Sequence, residues 1–130
     1  MIEKKNFYIN GKWVAPVKPN DFDVIDPSTE EAFAVISLGS NEDTDKAVSA
    51  AKVAFETWKE TSKEERVKLL EKFCEIYNRR WDEMVEAQSM EMGAPLDFAS
   101  EIHTKMGADI SRNTIDILKI LLPNFLYIVY

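Results

Sequence analysis

Cysteine and histidine are nearly absent from this 130-residue chain, which has one of each, Cys74 and His103. One chain therefore cannot close a disulfide or assemble a Cys/His zinc site. The lack of disulfides predicts a reducing compartment, the cytoplasm. Glycine is scarce as well, and Gly11, Gly39, Gly93 and Gly107 lie no closer than 14 positions apart. A dinucleotide fingerprint or a P-loop needs clustered glycines to bring backbone N–H groups onto phosphate, and neither is present. Four glycines and five prolines also exclude collagen-like and linker-like chains. Basic residues number 16 against 23 acidic ones, a net charge of −7, so no nonspecific hold on nucleic acid is expected. Met1 to Asn6 lead into no apolar core of signal-peptide length, which argues against secretion.

Apolar residues, by contrast, make up 45% of the chain, enough for an ordered domain. A chain of this length buries roughly 68% of the surface its unfolded form exposes. Residues 6–37 read as two β-hairpins. Phe7-Tyr8-Ile9 and Trp13-Val14 flank Asn10-Gly11, a pair suited to the positive φ values of a tight turn. Phe22 and Val24 alternate with Asp21 and Asp23, Asp26-Pro27-Ser28-Thr29 has turn chemistry, and Phe33 to Ile36 forms the return strand.

After Gly39 the apolar period lengthens to that of a helix. Three helices are expected, over residues 41–59, 62–92 and 95–116. Ser40 or Asn41 caps the first, whose Ala47, Ala51, Ala54, Phe55 and Trp58 share one face. Ser62 to Glu65 fits a capping box at the start of the second. Its stripe runs Val67, Leu70, Cys74, Tyr77, Trp81. Gly93 suits a left-handed cap and Pro95 the first turn of the third helix.

From Ile117 to Tyr130 the only charge is Lys119. These fourteen residues are too few for a membrane-spanning helix, which needs about 20. The last six match an aggregation-prone strand. Two expectations stand side by side: a chain cut or altered near residue 120, or a terminal strand or partner-binding tail.

The residues able to do chemistry do not converge. Cys74 sits mid-stripe on a helix, away from any N-terminus that would lower its pKa, and reads as a buried structural thiol. His103 shares a helical face with Ser100, but a Ser–His pair also needs an orienting acid and an oxyanion hole. Glu30-Glu31 and Glu64-Glu65 are sequence neighbours whose side chains diverge, so neither makes an acid/base pair. No catalytic and no cofactor-binding residue is assigned.

Several segments, taken in order, resemble the start of the NAD(P)-dependent aldehyde dehydrogenases. They are Tyr8-Ile9-Asn10-Gly11-Lys12-Trp13, Asp26-Pro27-Ser28-Thr29, Ala47-Val48 with Ala50-Ala51 and Ala54-Phe55 before Trp58, Arg66 with Leu69-Leu70, and Glu91-Met92-Gly93-Ala94-Pro95. The resemblance covers about residues 7–115. It implies a partial α/β fold: N-terminal β-hairpins and three α-helices of the cofactor domain over 1–116, most of the parallel sheet missing, and a departing apolar tail over 117–130. It further implies a complete enzyme that oxidises a small-molecule aldehyde through a Cys thiohemiacetal, gives hydride to NAD or NADP, and forms a homo-oligomer. The family's catalytic Cys and Glu and its cofactor residues lie beyond the matching stretch. This stretch alone is thus expected to be inactive, to bind no cofactor and to aggregate, as the product of a truncated, frameshifted or incomplete gene. Two roles do fall on matching positions. Val24 and Ile25 backbone with Glu91 would hold a monovalent cation, and Met106 would stand at the substrate entrance. The competing expectation is a small non-catalytic interaction module that docks through its apolar tail.

Overall fold

A computed structural model describes residues 1–120, which divide into two units. The first comprises Met1–Glu60 with Met90–Gly93, and the second Thr61–Ser89 with the described residues from Ala94.

In the first unit, β2 (Phe7–Ile9) and β3 (Lys12–Val14) form an antiparallel hairpin in which Tyr8 lies opposite Trp13. Asn10 and Gly11 take φ values of 52° and 74°, the two positive values that a two-residue turn of this hand requires. The Tyr8 and Trp13 rings meet edge-on at 5.3 Å. A second hairpin joins β4 (Asp21–Asp26) to β5 (Glu31–Ser37). Its turn is tied by the Ser28 N–H donating to Asp26 Oδ1 at 2.7 Å, and Glu30 takes the left-handed φ of 61°. The pairing slips between Val24 and Ile25, a bulge.

The expectation of hairpins alone needs correction. Ile2–Lys4 forms a further strand, β1, which pairs in parallel with β5, so that the sheet order is β1-β5-β4. A three-residue parallel strand has no turn next to it in sequence and hence no local signature. Paired on both edges, β5 carries the buried residues Ala34, Val35 and Ser37.

Helix α1 (Asn41–Trp58) begins at Ser40 with a complete capping box. Asp43 Oδ2 accepts from the Ser40 N–H at 2.9 Å and its hydroxyl at 2.7 Å, while the Asp43 N–H donates back to Ser40 Oγ at 3.3 Å. Farther along, the expected packed face is open. Ala47, Ala51, Ala54, Phe55 and Trp58 are all exposed.

The second unit is helical. In place of one helix over 62–92 there are two, α2 (Lys63–Arg79) and α3 (Trp81–Met92). Arg80 breaks the run with φ −103° and ψ 24°, its N–H still bonded to the Ile76 and Tyr77 carbonyls. No glycine or proline marks the break, so spacing alone could not reveal it. Ser62 and Glu65 form the capping box of α2. The stripe Val67, Leu70, Cys74, Tyr77 and Trp81 is half-buried.

The third expected helix also departs from 95–116. It begins with the short α4 (Leu96–Phe98), widens to a π-helical segment over Ala99–Thr104 and continues as α5 (Lys105–Ile120). Ile117 to Ile120 are therefore the last turn of α5, not the start of a tail, and residues 121–130 of the expected apolar tail lie outside the described residues. Ala99 and Thr104 are fully buried, and Ile115 is 5% exposed. Tyr77 of α2 donates its phenol hydrogen to the Thr104 carbonyl at 3.1 Å, and Trp81 Nε1 donates to Ser100 Oγ at 3.1 Å. Phe73, Tyr77 and Trp81 form an aromatic row with ring centroids 5.8 Å and 6.3 Å apart. No helix among the described residues is long and apolar enough to cross a membrane.

Candidate functional site

The positions that could hold a cation all belong to the first unit. Gly93 follows the last turn of α3 with φ +66°, a conformation that suits glycine. A Cβ there would stand 2.9 Å from Pro27 Cγ and 3.3 Å from Ser28 Oγ, so the end of α3 lies directly against the β4–β5 turn. Glu91 precedes this contact by two residues, while Val24 and Ile25 precede Pro27 along β4 and straddle its bulge. A bulge releases backbone groups from the ladder. Glu91 is exposed. Among the described residues no three His, Cys, Asp or Glu side chains gather as metal ligands.

The nucleophile and base candidates stay apart. Cys74 is half-buried among the apolar residues of α2. Ser100 Oγ is occupied by Trp81, and His103 lies edge-on to Phe98 at 4.9 Å, so the two side chains serve separate packing contacts. Glu30, Glu31 and Glu64 are exposed, and Glu65 is held in its capping box. Met106 is exposed on the first turn of α5.

The N-termini of α1 and α2 are not open to a phosphate. Helix N-termini attract phosphate through free N–H groups and a positive dipole end. At α1 and α2 that position is filled by the chain's own carboxylates, Asp43 and Glu65, which would repel an anion. The hollow lined by Phe73, Ile76, Tyr77, Arg80 and Met84 holds about 210 Å³, below the roughly 300–1,000 Å³ of ordinary ligand pockets.

One residue carries more than its sequence suggested. Asp43 reads as a first-turn acid favoured by the dipole, yet it is 5% exposed and also accepts from the Val17 N–H at 2.9 Å. It thereby ties the loop after β3 to the start of α1. The only sequence signal for the cap was its spacing of three from Ser40, and nothing pointed to Val17. The Ser40 hydroxyl, then the Ser40 and Val17 N–H groups, hold the Asp43 carboxyl below its ordinary 3.8, outweighing the opposing effect of burial. A lowered folded-state pKa means that the charged form stabilises the fold above the unfolded value, and that this contribution is lost as pH falls through the lowered one. The Val17 and Ser40 amide resonances are therefore expected to shift with a midpoint below pH 3.8. Midpoints at the ordinary carboxylate value would contradict the cap.

Comparison with known proteins places this arrangement. The family model described as "Aldehyde dehydrogenase family" matches residues 13–124. The chain is 45% identical over 96 residues to 3-succinoylsemialdehyde-pyridine dehydrogenase from a Pseudomonas species, covering 74% of this chain and 20% of that protein. To a putative aldehyde dehydrogenase of Staphylococcus epidermidis it is 41% identical over 100 residues, 77% of this chain and 21% of the relative. An aldehyde dehydrogenase structure from Bartonella henselae superposes with a TM-score of 0.92 at 53% identity, over 94% of this chain and 26% of its own. A mutant Pseudomonas syringae aldehyde dehydrogenase, solved with NAD+ and octanal, gives a TM-score of 0.88 at 36% identity, over 91% and 24%. The chain thus spans about a fifth to a quarter of these relatives, in their N-terminal part. The hairpins, the Gly93 contact and the capped helices are the opening elements of a larger fold, and the chain belongs to the aldehyde dehydrogenase family.

Proposed function

We propose that these residues serve as the N-terminal portion of an enzyme that oxidises an aldehyde to a carboxylic acid with NAD or NADP. The observation that carries this is the superposition on the Bartonella henselae enzyme over 94% of this chain and 26% of that one. Solved relatives carry NAD+ in their complexes, which supports a nicotinamide cofactor for the whole. The cofactor supplies the hydride acceptor when bound. The role of this chain's own residues is to build the β1-β5-β4 sheet, close α3 against the Pro27 turn and position α5. The Val24 and Ile25 carbonyls with Glu91 bind a monovalent cation that fastens the end of α3 to β4. Met106 borders the substrate entrance. The whole enzyme works in the cytoplasm as a homo-oligomer.

By itself the chain is inactive and self-associates through its exposed apolar side chains, among them Phe55, Leu69 and Phe73. Titration of the isolated chain with NAD+ is expected to give no binding heat, and mixing it with aldehyde and NAD+ no NADH. ANS fluorescence should rise on addition of the chain. Aldehyde-dependent NADH formation by the isolated chain would overturn this reading.

A further inference from the structure

The turn between β2 and β3 sets a backbone nitrogen beside a carboxamide in open water. Asn10 and Gly11 are both exposed, and no atom lies within 4 Å of where a Cβ on Gly11 would stand. The chain has six other asparagines, at Asn6, Asn20, Asn41, Asn78, Asn113 and Asn124, and each is followed by a residue with a side chain. At Asn10 alone the next residue is glycine, whose nitrogen no Cβ shields.

The backbone decides whether that nitrogen reaches Asn10 Cγ. Attack closes a five-membered ring of Gly11 N with Asn10 C, Cα, Cβ and Cγ. The ring is nearly flat, so Cβ and the Gly11 nitrogen eclipse each other about the Cα–C bond. On an L-residue this fixes the Asn10 ψ at about −120°, the value of the first central residue in a type II′ turn. Asn10 and Gly11 have φ 52° and 74°, both positive, the type I′ pattern. A type II′ turn keeps the positive φ at the first position and reverses it at the second. Turning over the one peptide plane between the two residues therefore converts I′ into II′. Asn10 keeps its φ, and only Gly11 changes sign, which glycine does at little cost. Both turns suit the twist of a hairpin, so β2 and β3 stay paired while the plane turns.

We propose that Asn10 is a site of spontaneous modification in the folded chain, converted through a cyclic imide to isoaspartate and aspartate with water as the sole co-reactant. The Gly11 nitrogen gives its proton to solvent and attacks Asn10 Cγ, forming the N–Cγ bond. The Cγ–Nδ2 bond breaks, and Nδ2 takes up a proton and leaves as ammonia. Water then adds to one of the two imide carbonyls. Cleavage of the new N–Cγ bond gives aspartate, and cleavage of the original peptide bond to Asn10 C gives isoaspartate. No atom changes oxidation state. In isoaspartate the main chain runs through Cβ and Cγ and is one atom longer. Register in a hairpin follows turn length, so Tyr8 loses its place opposite Trp13.

The test incubates the 130-residue chain at neutral and at mildly alkaline pH, native and in guanidinium chloride. Trypsin, cutting after Lys5 and Lys12, releases residues 6–12, in which Asn6 is an internal control. Asn10 should gain about one mass unit, as oxygen replaces the amide nitrogen, about ten-fold or more faster than Asn6. Isoaspartate, identified by fragmentation across its extra main-chain bond, should appear beside aspartate. The rate should rise with pH, because the Gly11 N–H must lose its proton. Asn10→Ser should abolish the gain. The native rate should lie within about ten-fold of the denatured one, since ring closure needs a peptide flip and not unfolding. The Tyr8–Trp13 ring contact, followed by NMR in the native sample, should be present at the start and fade as isoaspartate accumulates. Four results overturn the proposal: conversion at Asn10 no faster than at Asn6, a native rate more than about ten-fold below the denatured one, a ring contact missing at the start, or one that persists in the isoaspartyl product.

Discussion

Leucine in place of Gly107 is expected to destabilise the helical unit by about 3 kcal/mol, the upper part of the range for side chains forced into a filled core. A Cβ on residue 107 would sit 2.5 Å from the Tyr77 hydroxyl oxygen and 3.2 Å from its ring carbon Cζ. Tyr77 cannot easily move aside. Its ring stands between Phe73 and Trp81, and its hydroxyl is bonded to the Thr104 carbonyl. A better helix former at 107 gains about 1 kcal/mol of intrinsic propensity over glycine, too little to offset the clash. The clash has a specific cure. Tyr77→Ala alone should cost about 3–5 kcal/mol, as for other large aromatic truncations. Combined with Gly107→Leu, it should cost less than the sum by about 0.5–3 kcal/mol, because each change makes room for the other. Urea unfolding followed by far-UV circular dichroism measures all four corners of this cycle. Strict additivity would mean that Tyr77 and residue 107 do not meet.

The second large effect is at Ile115, which faces the interior from the middle of α5. Ile115→Ala should cost about 2–5 kcal/mol, the lost transfer energy plus the cavity left behind. Ile110→Ala, about a turn and a half earlier on the exposed side of the helix, should change the stability of the isolated chain by less than about 0.5 kcal/mol. The contrast tests the orientation of the helix as well as its packing. Equal costs at the two positions would mean that α5 is rotated from the arrangement described.

Features written in nearby residues were legible in advance. Asn10-Gly11 specified its turn, Ser62 and Glu65 their capping box, and the stripe from Val67 to Trp81 its half-buried face. Each depends on residues within a few positions of one another. What escaped depends on distant partners or on backbone choices without a dedicated residue type. β1 pairs with β5 across some thirty residues, as Ile2 beside Ala34 shows. Arg80 ends α2 although nothing in its chemistry forbids a helix, and the π-helical turn over Ala99–Thr104 rotates α5 with no glycine or proline to announce it. The α1 stripe shares one face as its spacing implied, and that face is exposed. Periodicity shows which side chains share a face but not what covers them. For the site, the tie from Asp43 to Val17 required the folded loop.

The central claim is that these residues are a working structural portion of an aldehyde-oxidising enzyme and carry none of its chemistry. The most direct measurement is aldehyde-dependent NADH formation by the Bartonella henselae enzyme after its matching first quarter is exchanged for residues 1–120 of this chain. The account predicts that the graft folds and oxidises aldehyde at a rate within about ten-fold of the parent, a change of roughly 1.4 kcal/mol in barrier. The isolated chain gives no NADH under the same conditions. A graft that folds with the parent's secondary structure and binds NAD+, yet turns over no aldehyde, would contradict it.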